Sequence, residues 1–185
     1  MSKGKLIVIS GASGVGKNTV LGKVMKQRTD LAFSVSATTR PPRPDETHGV
    51  HYYFITQEEF QKMIDAGEFL EYDGHNANFY GTPRGQAEEK MQRGHVLLDI
   101  EPKGARQVKD SDPNVTLIFI MPPSMEELER RLRGRGDTPE DQIQMRLKRA
   151  VWEMEQRFWY DHVVVNDDAD RCADEILNII SNLED

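Results

Sequence analysis

The chain is short of everything that marks a disulfide scaffold, a membrane protein or a polyanion binder. Its 185 residues include one cysteine, Cys172, so no intramolecular disulfide can form and a reducing compartment is expected. Cys172 falls in a predicted C-terminal helix, where a packed thiol is expected. No apolar run approaches the ~20 residues that a membrane-spanning helix needs. The run after Lys5 stops at Gly11, too early for a signal h-region, which makes a cytoplasmic protein with no membrane partner the expectation. Positive charge is scarce as well. With 24 Lys and Arg against 31 Asp and Glu, the net charge of −7 argues against a nucleic-acid partner, whose binding depends on neutralising many phosphates. There is no internal repeat, low-complexity tract or interdomain linker. The length suits one domain with inserted subdomains and a sizeable core.

What the chain does have begins at Leu6. The apolar run Leu6-Ile7-Val8-Ile9 reads as a strand covered on both faces, and it leads through Gly11, Ala12, Ser13, Gly14, Val15 and Gly16 to Lys17, Asn18 and Thr19 at the start of a helix. Glycines there let backbone amides converge at a helix N-terminus, where they hold phosphate oxygens, and Lys17 adds a mobile positive charge. This is a P-loop, the signature of a nucleoside-triphosphate site. Asn18 stands where a hydroxyl would ligate magnesium, and the hydroxyl follows at Thr19. A second apolar strand, Val96-Leu97-Leu98, ends in Asp99. The C-terminal edge of a parallel sheet is where a carboxylate holds Mg²⁺ or its waters, so Asp99 (through water) and Thr19 are the candidate metal residues.

Arginines cluster on this acidic chain at Arg40 and Arg43, at Arg130, Arg131, Arg133 and Arg135, and at Arg146 and Arg149. Grouped guanidinium ions suit a small, highly charged ligand. In Ser36-Ala37-Thr38-Thr39-Arg40-Pro41-Pro42-Arg43-Pro44 the prolines restrict φ and stiffen the loop that carries two of them. His48 and His51 lie three apart on a loop beside Gly49 with no cysteine near, so no zinc site is expected. Trp152, Phe158, Trp159 and Tyr160 read as packing aromatics, and no Ser/His/Asp arrangement has the context of a nucleophile.

Apolar runs alternating with helical patterns predict an α/β fold with a mainly parallel sheet flanked by helices. The expected core strands are Leu6–Ser10, Phe33–Ser36, Val96–Ile100, Thr116–Ile120 and Val163–Asn166, with short aromatic strands at Tyr52–Ile55 and Phe69–Asp73. Thr56-x-x-Glu59 predicts a capping box with Gly67 as the stop, and Ser124-x-x-Glu127 opens a second helix. Thr138-Pro139 is expected to cap a third helix with proline at its first position, and Asp170 to cap the last.

Taken together, these segments resemble the guanylate kinase family over essentially the whole chain. The resemblance is carried by Gly11–Thr19, Ser36–Arg43, His51-Tyr52-Tyr53-Phe54, Phe69-Leu70-Glu71-Tyr72, Phe79-Tyr80-Gly81-Thr82, Leu98-Asp99-Ile100-Glu101, Arg130–Gly136, Met145-Arg146-Leu147 and Val165-Asn166-Asp167-Asp168. It implies a P-loop NTPase core (4–35, 84–124 and 156–184), a GMP-binding subdomain at 36–83 and a lid at 125–155. It further implies Mg²⁺-dependent transfer of phosphate from ATP to GMP. By that similarity Arg40, Arg43, Tyr52 and Tyr80 grip the GMP phosphate. Ser36 and Thr82 face guanine O6, Glu71 and Glu101 take N1 and N2, and Asp99 also borders GMP. Guanine's N1–H and N2–H₂ edge is all donors, which ionised carboxylates match. Arg131, Arg135 and Arg146 would bridge the donor and acceptor phosphates, and Asn166 would contact adenine. The chain departs from the family pattern at Ala12, Asn18, Phe79 and Glu101. Two other readings stay open: another P-loop kinase of small molecules such as phosphorylated sugars, and a non-catalytic guanylate-kinase-like interaction module. Monomer and homo-oligomer both stay open as well.

Overall fold

A computed structural model describes residues 4–75, 77–134 and 138–183. The chain folds as two compact units, Met1–Val8 with Asp30–Val115, and Ile9–Thr29 with Thr116–Asp185. The strand β1 (Leu6–Gly11) runs from the first into the second.

The first unit contains two kinds of sheet. β2 (Leu31–Phe33) pairs in parallel with β7 (His95–Asp99), a buried strand that ends in exposed Asp99. The second sheet has the order β4-β3-β6-β5, formed by β3 (Ala37–Thr38), β4 (Tyr53–Phe54), β5 (Phe69–His75) and β6 (Asn78–Pro83). Its β3–β6 and β6–β5 pairs are antiparallel, with a register shift between Phe69 and Glu71. Beneath it Phe60 of α2 (Gln57–Asp65) stacks on Phe69 at 4.5 Å and on Phe79 at 5.5 Å. The helices α3 (Arg84–Met91) and α4 (Pro102–Ser111) complete the unit.

In the second unit α1 (Lys17–Gln27) follows β1. β8 (Thr116–Met121) and β9 (His162–Val165) pair in parallel from Ile118↔His162. The helices α5 (Met125–Arg133), α6 (Glu140–Glu155) and α7 (Ala169–Ser181) fill out the unit. β8 is almost wholly buried, as its run of apolar residues requires. No helix of the described residues is long and apolar enough to cross a membrane.

Several expectations hold in detail. Thr56 and Glu59 form a full capping box, and Gly67 takes a positive φ of 68° just past the helix end. Ser124 accepts a hydrogen bond from Glu127 N. Cys172 is buried, and burial pushes its thiol up to about 12, so it is packed and protonated.

Others need correction. The strand expected at Phe33–Ser36 is Leu31–Phe33. Ser34–Ser36 cross to the other sheet, where Ser36 O accepts from Tyr53 N. The last helix is capped by Asp168, whose carboxylate takes the amides of Asp170 and Arg171. Asp170 instead pairs with Lys23 at 2.6 Å. Pro139 is itself the N-cap of α6, which starts at Glu140, so no side chain caps that end. Of the four aromatics read as packing, Tyr160 packs on Phe119 at 5.0 Å, but Phe158 is 78% exposed under the Arg157 guanidinium.

Candidate active site

The P-loop conformation follows from its glycines. Gly14 and Gly16 have φ of 88° and 92°, a region that side-chain-bearing residues avoid. A Cβ on Gly14 would lie 2.5 Å from Leu132, and one on Gly16 2.9 Å from the Asn166 amide. Val15 is buried, and Val15 N donates to Ala12 O at 3.0 Å, which closes the turn. Lys17 opens α1 directly after Gly16. The N-terminus of α1 carries no side-chain cap and no acidic residue in its first turn, whereas α2, α5 and α7 have both. The leading amides of a helix need acceptors from outside it, and here the protein supplies no capping side chain.

Among the described residues, Asn166, Arg131, Arg146 and Glu153 hydrogen-bond to this loop within the second unit. Asn166, buried at the end of β9, donates from Nδ2 to Val15 O at 2.8 Å. Arg131 donates from Nη1 to Val15 O at 3.0 Å and from Nε to Glu127 at 2.7 Å. Arg146 donates from Nε to Ser13 Oγ at 3.3 Å. Glu153 accepts from Ser13 N at 2.6 Å. The sequence does not separate Arg131 from its neighbours, but the fold does. Arg130 pairs with Glu127, and Arg133 with Glu129 and Glu140, all near solvent. Arg135 lies outside the described residues. Asn18 and Thr19 are exposed on the first turn of α1.

The first unit holds a cavity of about 210 Å³. It is walled by six of the residues singled out from sequence, Ser36, Tyr52, Glu71, Tyr80, Asp99 and Glu101. Glu71 is 7% exposed and opposite Thr82 in the β5–β6 pair, where the Thr82 hydroxyl donates to Glu71 Oε1 at 2.6 Å. Its other oxygen rests against Gly104 of α4, where any Cβ would collide with it. Burial raises the Glu71 carboxyl to about 7, against the lowering effect of Thr82. Glu101 is the N-cap residue of α4, two residues past Asp99. That helix is fastened to β5 by Gln107, whose amide both accepts from Tyr72 N at 3.1 Å and donates to Tyr72 O at 2.8 Å.

Thr82 stands behind Glu71, fully buried and off the cavity wall, and Arg40 and Arg43 are off it as well. Arg40 makes a two-pronged pair with Glu46 at 2.6 and 2.8 Å and donates to Pro41 O at 2.9 Å. It sits over the rings of Tyr52 and Phe54 at 5.3 and 5.7 Å. The Arg40 guanidinium, with help from Arg43 N, draws the Glu46 carboxyl down to about 2, so the pair is charged at any physiological pH. Tyr52 and Tyr80 meet edge to face at 6.1 Å. His48 and His51 accept from Phe54 N and Thr47 N, and among the described residues no group of three metal-ligating side chains exists.

Sequence reasoning missed Glu46, Asp73, Gly104 and Glu153. Asp73 and Gly104 line the cavity from β5 and α4. Glu46 follows Arg43 at a spacing of three in a turn, a signal that could have found it. Glu153 shows as a lone acid on the apolar face of a helix.

Comparison with known proteins identifies the family. The family model described as guanylate kinase matches residues 3–183. A guanylate kinase from Synechococcus sp. (strain JA-3-3Ab) is 48% identical over 95% of this chain and 81% of its own length. One from Thermus thermophilus is 47% identical over 97% of this chain and 81% of its own. The crystal structure of guanylate kinase from Anaplasma phagocytophilum superposes with a TM-score of 0.79 at 36% identity, covering 99% of this chain and 87% of that one. With a P-loop in one unit, a carboxylate-walled cavity in the other and a family match across nearly all its residues, the chain belongs to the guanylate kinase family.

Proposed function

We propose that this chain transfers the γ-phosphoryl group of ATP to GMP, giving ADP and GDP. The observation that carries the reading is the buried Glu71 carboxylate on the cavity wall, oriented by the Thr82 hydroxyl. An ionised carboxylate only accepts hydrogen bonds, so it suits the donor edge of guanine and opposes the bare N1 of adenine. A mismatch of that kind at a buried polar group can separate substrates by orders of magnitude. Glu101 is the second acceptor in this reading, and Ser36 takes O6. Tyr52, Tyr80, Arg40 and Arg43 hold the acceptor phosphate.

In the reaction a GMP phosphate oxygen bonds to the γ-phosphorus, and the bond from that phosphorus to the β–γ bridging oxygen breaks. The attacking oxygen is already anionic, so no strong base is needed. Catalysis is positioning and charge neutralisation. Gly11–Gly16 and the first amides of α1 cradle the donor phosphates. Lys17 carries the charge at their outer end, and Arg131, Arg135 and Arg146 approach from residues 125–155, the proposed lid. Residues 36–83 form the proposed GMP-binding subdomain.

Magnesium in such sites takes most of its ligands from phosphates and water. The residues that would hold it are Asp99, through water, at the end of β7, or Thr19 on the first turn of α1. Bound there, it would neutralise and orient the donor phosphates. The test is ADP release with GMP, AMP, CMP and UMP as separate acceptors. Turnover with GMP far above the others supports the reading. Preference for another acceptor, or no turnover with any, refutes it, and no turnover would favour an interaction module.

A further inference from the structure

Arg146, Arg149 and Glu153 follow one another along α6 at spacings of three and four, so they share one face of the helix. Ala150 and Met154 on that side are buried, and Glu153 is buried with them at 3% exposure. A carboxylate in such a place loses several kcal/mol of hydration unless charged hydrogen bonds replace the water. Two are present. Ser13 N–H donates to Oε2 at 2.6 Å, and Arg149 Nε donates to Oε1 at 2.9 Å. The hydroxyl of the same Ser13 accepts from Arg146. Both the amide and the side chain of Ser13 therefore meet α6.

Position 13 is a sensitive point of the loop. Its amide belongs to the Ala12–Ser13 peptide, one residue ahead of Gly14, the first residue with positive φ. A negative charge buried at a loop meant for phosphates would oppose the ligand if it served packing alone, and an apolar side chain of like volume would pack at lower cost.

We infer that Glu153 is a positioning residue for the triphosphate side. By holding the Ser13 amide and the Arg149 guanidinium together, it sets the register between the P-loop and α6. The amides of Gly14–Lys17 and the Arg146 guanidinium then address the same phosphates. This rests on the reading of the loop as the ATP site.

Glu153→Gln keeps the size and one acceptor but turns an NH₂ toward either Ser13 N–H or Arg149 Nε–H. The expected result is a KM for ATP raised about tenfold, the scale of one hydrogen bond to a charged group. The KM for GMP should stay within about twofold, and thermal melting should stay above the assay temperature. Glu153→Asp, which keeps the charge but draws it back by one methylene, should shift ATP in the same direction by less. Equal changes in both KM values, no change in either, or failure of both variants to fold makes Glu153 a packing residue and overturns the inference. Calorimetric titration of ATP gives the same comparison without turnover. Wild-type protein that fails to turn over ATP with GMP refutes the proposed activity, whereas an active wild type with an unaltered ratio in the variants refutes only the role of Glu153.

Discussion

The cavity of the first unit and the loop of the second meet charge in opposite ways. In the proposed reading the cavity meets its ligand with side chains from β5, β6, the end of β7 and the start of α4. Thr82 and Gly104 confine Glu71, and Glu46 clamps Arg40 against two aromatic rings. In the proposed reading the loop binds through main-chain amides whose directions come from Gly14 and Gly16, and Asn166 and Arg131 hold that backbone through Val15 O. Main-chain amides recognise phosphate of any nucleotide, because every donor phosphate looks alike. Confined carboxylates distinguish bases, because only a base with donors on that edge satisfies them. In the proposed reading, selectivity is placed on the acceptor side and generic binding on the donor side.

The largest effect should come from removing the Lys17 charge at the loop. Lys17→Ala is expected to lower turnover by ~10³ or more, comparable to the loss of an arginine finger, while circular dichroism remains that of the wild type. More than a tenth of wild-type activity would mean that the loop does not act on the outer phosphates. Arg43→Ala sharpens the contrast between the halves. It should weaken GMP by ~1.5–3 kcal/mol, about 10- to 150-fold, and leave ATP nearly unchanged in titration calorimetry. Equal losses for both nucleotides would erase the division.

A smaller effect comes from pH. Burial puts the Glu71 carboxyl near 7, with the charges of Asp73 and Glu101 adding to the rise. Only the ionised form accepts fully from guanine, so GMP affinity should grow about tenfold between roughly pH 6 and pH 8 and then level off. Stability of the ligand-free protein should move the other way. With its pKa raised in the fold, Glu71 binds more protons native than unfolded between about 4.5 and about 7. Its contribution is therefore complete below that window and is lost as pH rises through about 7. Melting with and without GMP across this range reads both trends, and Glu71→Gln should flatten them.

The donor half was legible in the sequence because its signal is contiguous: a four-residue apolar run, the glycines and Lys17 lie within one short stretch. On the other side the proline-stiffened loop of Arg40 and Arg43 and the strand-end Asp99 stood out locally, but Tyr52, Glu71, Tyr80 and Glu101 were singled out only through the resemblance, since a sheet and a helix start gather them from distant positions. What escaped were residues whose function lies in a distant contact. Nothing local shows that Gly104 must lack a Cβ because Glu71 lies against it, or that Glu153 meets Ser13 140 positions away. Competition hid other features. Asp167, Asp168 and Asp170 all offer a capping carboxylate, and the fold uses Asp168 while Asp170 lies in the first turn and pairs with Lys23. Arg130, Arg131 and Arg133 are alike in sequence, and only the direction of the α5 face sends Arg131 to the loop.

The claim that base selection rests on Glu71 is tested most directly by kcat/KM for GMP and for AMP in the wild type and in Glu71→Gln. An amide can turn either a donor or an acceptor toward the base, so it no longer penalises the bare N1 of adenine. The account predicts a sharp drop in efficiency with GMP and a fall in the GMP/AMP ratio, whether or not AMP becomes a good substrate. A ratio unchanged from wild type would contradict it and move base selection to Ser36, Thr82 or Glu101.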